Sequence, residues 1–425
     1  MFPVTYSTFR KRLHLTILSF ILFGCLGGVY AQNVTSPYSI IGIGDLEQSY
    51  FNRTSGLANT GIAYSNNSFV TINNPASLSS LTNQLFLVEL SGRGKFVKYS
   101  GTGVTPGLSA QDFSVEKMSL GIRINKWWGA AAGLMPYSTS NYSFSGNQNL
   151  QGSNLTVPVD YDGSGGVNRF FFASGFKITK NLSLGFNASY LGGSLLQQDS
   201  LFSSDAASNI YTKKNIYIRD LYLDYGLQYH IKLSKKWNVN LGFTYAPETA
   251  LNAEYTALIK DGIGDTLSNK TISNTIFTLP TNTGFGISIV KDNKLTFLAD
   301  YRFQNWSPLN QSGPNYRLIN SNRYSAGVEY SKQKDYLGAR YEILNLQAGV
   351  FYNDSYLQIN NQQVNDKGFT LGVGVNSKRS TMSYHLAFEY GVRGSQYTPI
   401  KENYASFTIG ISYKDFWYTK GKKFD

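Results

Sequence analysis

The chain has 425 residues, 42% of them hydrophobic and 15% aromatic, with 31 Tyr, 27 Phe, 41 Gly and a formal charge of +12. Its one cysteine, Cys25, excludes a disulfide framework and a thiolate metal site. The basic balance alone would allow a nucleic-acid partner, but no run of Lys or Arg interleaves with aromatics as a single-strand groove requires, so none is assigned.

At the front, Arg10, Lys11 and Arg12 precede an apolar stretch from Leu13 to Leu26 that is too short to span a bilayer comfortably. Val29-Tyr30-Ala31 then offers small residues at cleavage spacing, which predicts a signal peptide over 1–31 and a mature start at Gln32. An alternative is a lipobox at Leu22-Phe23-Gly24-Cys25; Phe23 at its second position and the apolar residues after Cys25 weigh against it. Cleavage after Ala31 would lower the charge from +12 to +9 and leave an exported chain without cysteine. The remaining charge is assigned to turns and loops near anionic lipid.

Residues 32–82 come next and are polar and turn-rich. "SGLANTGIAYSNNSFVTINNPASL" (Ser55 to Leu78) carries too much Asn, Ser and Gly for a helix and too broken a pattern for a strand. Past the signal, no apolar run approaches twenty residues, which excludes transmembrane helices.

From residue 83 onward the pattern changes to a period of two. In "KGFTLGVGVN" (Lys367 to Asn376), Phe369, Leu371, Val373 and Val375 share one face, and Gly368, Thr370, Gly372 and Gly374 the other. The alternation predicts strands near 84–99, 112–125, 127–144, 166–179, 181–194, 215–233, 237–249, 278–290, 295–306, 322–331, 336–352, 367–376, 380–393 and 403–414. Their connections alternate in length. Short Lys-bearing turns at Lys126, Lys180, 234–236, 291–294, 332–335 and 377–379 are separated by long Gly-, Ser- and Asn-rich links such as 145–165, 195–214 and 250–277.

Short turns on one side and long loops on the other predict an all-β, fourteen-stranded antiparallel transmembrane barrel over 83–425, in the bacterial outer membrane and bathed in its lipid. Trp127, Trp128 and Trp237 fall at the short-turn ends, where an interfacial aromatic girdle belongs. A barrel of this size encloses more space than its wall side chains fill, so the extension and hatch at 32–82 are expected in the lumen.

The lumen is predicted to receive Arg123, Asp300, Arg302, His385 and Glu389, with Arg302 the best candidate for a ligand carboxylate. Nothing in the spacing singles out an enzyme. The mature chain has two histidines, His230 and His385, with no oriented Ser–His pair and no metal-ligand cluster, so neither cofactor nor metal is expected.

Several motifs together resemble the FadL-type long-chain fatty acid and hydrophobic-compound transporters. Ser55-Gly56-Leu57, Gly61 and Asn74-Pro75-Ala76 are similar to the hatch of that family. "YDGSGGVNRFFFASGFKITKNLSLGFNASYLGGS" (Tyr161 to Ser194) resembles its central hairpin, and "LPTNTGFGISIVKDNKLTFLADYRFQNWS" (Leu279 to Ser307) a later strand pair. The resemblance implies passive uptake of a hydrophobic small molecule, with a luminal hatch and an exit through an inward kink in the third strand. Gly133 and Pro136 lie in that strand here, and a central proline removes a ladder donor, so a local break is expected. The front segment "QNVTSPYSIIGIGDLEQSYFNR" (Gln32 to Arg53) departs from the transporters. PorV-like relatives in type IX secretion share the barrel, which keeps an accessory barrel with secretion-system or cargo proteins as the alternative, beside a structural or surface-interaction role.

Overall fold

The computed structural model describes residues 36–48, 52–101, 104, 106–149, 155–313, 315–336, 339–377 and 381–416; the signal segment expected over 1–31, with Cys25, lies outside them. Fourteen strands build the wall: β1 (Leu85–Gly101), β2 (Ser109–Arg123), β3 (Trp128–Thr139), β4 (Thr156–Lys177), β5 (Leu182–Leu201), β6 (Ile210–Lys232), β7 (Trp237–Ala246), β8 (Asn282–Lys291), β9 (Leu295–Gln304), β10 (Ser321–Tyr336), β11 (Ala339–Ile359), β12 (Gln362–Asn376), β13 (Met382–Arg393) and β14 (Ile400–Phe416). Each pairs antiparallel with the next, and β14 closes on β1 from Leu85↔Phe416 to Gly101↔Ile400. Closure follows from the solvent: lipid offers no hydrogen bonds, so the ladder must return on itself.

The period of two sorts the side chains as the composition predicts. Phe369, Leu371, Leu386, Tyr390, Phe407 and Ile409 are exposed on the outside, while Thr370, His385, Glu389, Ser406 and Ser412 are buried within. Trp127, Trp128 and Phe176 stack near the turn at 124–127, with ring centroids about 6 Å apart. That places an aromatic girdle at the short-turn end.

Two details depart from the sequence reading. Lys332–Asp335, expected as a turn, is strand: Gln333 pairs Glu342 and Asp335 pairs Arg340, after a register shift at Lys332/Gln333. Much of the long links is also strand. Tyr142–Asn149 pairs the outer part of β4, and a hairpin of Thr249–Asp261 and Thr266–Leu279 continues the wall beside the outer half of β6. Once a strand leaves lipid it no longer needs an apolar face, so alternation fades while backbone pairing persists. A membrane crossing takes about ten residues. The 20 to 23 residues of β4, β5 and β6 therefore carry an ordered shelf beyond it, on the side opposite the short turns.

The lumen is filled by the chain's own front. Residues 52–82 form the floor near the short-turn end, through 3-10 turns at Ser55–Leu57 and Pro75–Ser80. Glycines on the wall let backbone approach backbone. A Cβ at Gly129 would lie 2.1 Å from the Leu78 carbonyl oxygen, at Gly185 2.4 Å from the Ala76 nitrogen, at Gly242 2.3 Å from the Ile62 oxygen, and at Gly349 2.5 Å from the Leu57 carbonyl carbon. Gly175, Gly286 and Gly372 also meet hatch backbone, and Gly226 and Gly410 make room for the Asn74 and Asn52 side chains. The contacts come from nine strands around the circumference, so the floor is fitted to the wall as a core is, without slack.

Gly185→Val should therefore dislodge the hatch, while Gly94→Val, where a Cβ meets nothing within 4 Å, should not. Limited proteolysis of the folded, heat-modifiable barrel should cut within 52–82 in the first variant only.

Candidate functional site

The floor is held by a buried charge cluster. Arg53 donates to Glu342 at 2.5 Å, to Glu329 at 2.7 Å and to the Tyr64 hydroxyl at 3.0 Å, so one hatch side chain joins β10 and β11. Gln347 donates to the Arg53 carbonyl and to Glu329, both at 2.7 Å. Burial opposes the charge on Arg53, but Glu329, with Tyr64 and Glu342, outweighs it and raises its pKa well above the ordinary arginine value.

Other hatch residues are tied as tightly. Asp300 on β9 accepts from Gly61 N–H at 2.6 Å and Ile62 N–H at 2.9 Å. Asn74 caps the Pro75–Ser80 turn, its Oδ1 accepting from Ala76 N–H at 3.1 Å. Its Nδ2 donates to the carbonyls of Ile62, Leu227 and Phe243, at 2.9, 3.0 and 3.3 Å. Pro75 sits at the first position of that turn, where its fixed φ suits the geometry and no amide is missed. Ser55, Gly56 and Leu57 lie buried against β11 and β12.

A second plug fills the opposite half. Residues 36–48 climb beside the outer ends of β3 and β14: Ser36 Oγ donates to Glu402 at 2.5 Å, and Ser36 N–H donates to the Asn141 carbonyl at 3.3 Å. Tyr38 and Ile43 pack there with Leu191, Leu195, Ile218, Leu251, Leu279 and Trp306 in one apolar cluster. Gly42 and Gly44 have φ of +65° and +92°, and a Cβ at Gly44 would sit 2.4 Å from the Thr139 carbonyl oxygen; the tight turn into Asp45 needs glycine at both.

Between the plugs remains a cavity of about 210 Å³ lined by charged and polar groups, among them Asp45, Glu47, Arg93, Lys95, Arg169, Arg302, Arg323, Asp366, Glu389 and Arg393. Many are paired: Arg93 with Glu47 and Glu116, both at 2.9 Å, Arg169 with Asp224, and Arg393 with Asp45. Burial disfavours the Asp45 carboxylate, but Arg393 more than compensates and lowers its pKa. The broad apolar hollow, about 850 Å³, is on the lipid-facing wall over Ala299 and Ala326. A vestibule of about 740 Å³ lies under the hatch at the short-turn end, bounded by Tyr64, Asn66, Phe69, Glu342 and Lys414.

Of the five luminal candidates, Arg302 and Glu389 line the cavity. Arg123 is a turn clamp that donates to the carbonyls of Asn125, at 2.6 Å, and Lys126. Asp300 is a hatch anchor, and His385 packs edge-on against Phe69 of the floor, 5.1 Å between centroids. Sequence reasoning missed Arg53, whose signal was a lone charge in the polar hatch. It also missed the fully buried Lys117–Glu89 pair at 2.6 Å. Lys117 follows Glu116 at a bulge opposite Ser91/Gly92, which period-two parity does not reveal. Among the described residues no group of three His, Cys, Asp or Glu converges as a metal site.

Among the described residues the wall lacks pairing along 219–224 of β6, between the hairpin and β7, and along a longer stretch between β2 and β3. β2 and β3 pair only from Met118↔Leu134 to Arg123↔Gly129. Beyond that, β3 shifts register between Pro136 and Ser138 against β4 and takes Asp45–Leu46 as its other neighbour, Asp45↔Thr139 and Leu46↔Ser138. Gly133 supports this path, since a Cβ there would lie 2.3 Å from the Met118 carbonyl oxygen and 2.8 Å from the Phe171 ring. Glu47 N–H donates to Tyr137 O at 3.0 Å and its carboxylate accepts from Thr139 Oγ1 at 2.8 Å, so the front segment lines the seam from inside.

Closure, girdle and luminal hatch define a plugged fourteen-stranded barrel of outer-membrane type. Solved barrels share the architecture: the toluene transporter TodX of Pseudomonas putida (18% identity, TM-score 0.58, covering 88% of this chain and 100% of that one), the toluene transporter TbuX of Ralstonia pickettii (17%, 0.58, 86% and 98%) and a FadL homologue of Pseudomonas aeruginosa (14%, 0.60, 88% and 100%). At these identities the likeness is one of fold. No curated protein matches the chain in sequence. The BamG family matches residues 11–425, and the chain belongs to it.

Arg53→Ala would leave Glu329 and Glu342 facing each other without their cation, at a cost of about 3–5 kcal/mol. The expected outcome is a lower thermal midpoint for loss of heat-modifiability and a protease-sensitive hatch; Arg53→Lys should recover part of the loss, because an ammonium cannot reproduce the fork.

Proposed function

We propose that this protein is a non-conducting accessory barrel that works on protein partners as a subunit of an outer-membrane protein machine. The observation that carries this reading is the filled lumen: the chain's own residues occupy both halves and leave a charged, ion-paired cavity between them. An apolar solute passing that cavity would have to displace paired charges, a step that costs several kcal/mol per ion. The surfaces left for work are outside: the shelf formed by Tyr142–Asn149, the outer ends of β4 to β6 and the hairpin, together with the vestibule. The shelf presents exposed Tyr211, Tyr217, Ile263, Leu267 and Ile272, the kind of apolar contacts that anchor protein interfaces. Secretion-system components or their cargo are the partners this reading favours.

A second reading is passive uptake of a fatty-acid-like or aromatic compound through the β2–β3 seam. It is supported by the missing pairing at Pro136 and by the fold shared with the toluene transporters. In it the seam is the lateral opening and Arg302 the head-group contact.

Two measurements separate the readings. The purified barrel in planar bilayers should show no ion conductance, and crosslinked pull-downs from native membranes should recover a defined protein partner. Steady conductance, or loss of hydrophobic-compound uptake on deletion with no partner recovered, would support the second reading and sink the first.

A further inference from the structure

We infer that the free outer edge of β2, Ser109–Glu116, is a docking site for an extended strand of a partner protein. The inference rests on the accessory reading and names the surface through which it operates.

The argument starts from backbone valence. β2 pairs with β1 from Ser109 to Ile122, but with β3 only from Met118 inward. Among the described residues, Ser109–Glu116 therefore has a ladder on one edge and no strand on the other. A crossing of about ten residues, counted up from Arg123 at the short-turn end, places Phe113 to Glu116 within the outer leaflet. There an unpaired N–H or C=O costs several kcal/mol, and lipid tails supply neither donor nor acceptor.

Among the described residues no strand meets this demand, although the Asp112 carboxylate accepts from the Phe113 N–H. The chain's front segment satisfies the opposite side of the seam, where Asp45–Leu46 pairs with Ser138 and Thr139 of β3. Glu47 adds its N–H to the Tyr137 carbonyl of β3 and its carboxylate to Arg93 and Thr139, so its contacts too serve β3 and the inner side of the wall. β3 cannot return, because its register shift at Pro136 commits it to β4 and to Asp45–Leu46. The outer face of the free edge carries Phe113 and Val115, 65% and 53% exposed, which is the apolar surface a membrane-embedded partner would cover.

The occupant is fixed by this chemistry. A lipid chain covers Phe113 and Val115 but leaves the backbone unpaired. A small apolar solute does the same. A β-strand supplies alternating donors and acceptors along the whole edge, the mode by which extended peptides add to exposed sheet edges. The barrel already shows that chemistry within itself at β3.

The test uses the full-length protein in native membranes, with a photoreactive phenylalanine analogue replacing Phe113 or, separately, Val115. Leu346 and Ile409, exposed on fully paired strands, serve as control positions. Heat-modifiability on gels shows that each variant folds. Irradiation should give a discrete protein adduct at Phe113 and Val115 and none at the controls. Lipid-only adducts, or none, while pull-down of the unmodified barrel still recovers a partner, would overturn the edge as docking site and leave the accessory reading standing. Failure of both pull-down and crosslinking would overturn both.

Discussion

The structure depends on filling a tube that its wall cannot fill. Fourteen strands enclose a lumen wider than their inward side chains can pack, and the strand positions that meet the hatch are often glycine, which makes the lumen wider still. The missing side chains are replaced by backbone: Leu57, Ile62, Pro75, Ala76 and Leu78 sit where Cβ atoms would otherwise be. Wall and hatch are one close-packed unit. The hydrogen bonds of Asn74, Asp300 and Gln347 then satisfy backbone groups that this approach buries.

Charge is used in two ways inside the barrel. Near the floor, Arg53 bridges carboxylates from adjacent strands and fixes the hatch in one register. Higher up, the cavity holds pairs drawn from several strands and from the front segment, such as Arg93 with Glu47 and Arg393 with Asp45. Breaking any one leaves an isolated charge in a poorly hydrated space, so the pairs resist passage of apolar solutes. The same front segment that supplies Asp45 and Glu47 also occupies one edge of the seam. Residues 36–48 thus contribute at once to the upper plug, to two of the ion pairs and to one edge of the β2–β3 seam.

Strand number and the inside–outside pattern were legible because lipid and lumen impose opposite chemistry on alternate residues, as in Phe369/Thr370 or Ile409/Ser406. Strand ends were less legible. Lys332–Asp335 carries turn-like residues, yet pairs with β11 because nothing outside the membrane penalises a polar strand. The hatch motif was visible as composition, and Asn74-Pro75-Ala76 as a local cap. Its partners were not: Asp300 reads from its parity as an inward acid and equally well as a ligand group or an anchor. Arg123, on an inward parity, instead turns to the carbonyls of its own turn.

By itself the sequence determined an all-β chain with a fourteen-stranded wall and a polar segment ahead of it. Those properties are local, written in period-two alternation, turn residues and the absence of long apolar runs. Only the tertiary structure decided that residues 36–48 fill the outer lumen, that Arg53 meets Glu329 and Glu342, and that β2 pairs with β3 only from Met118 to Arg123. Each of these joins residues distant in sequence or turns on a register shift, and no local periodicity encodes which luminal groups closure of the barrel will bring face to face.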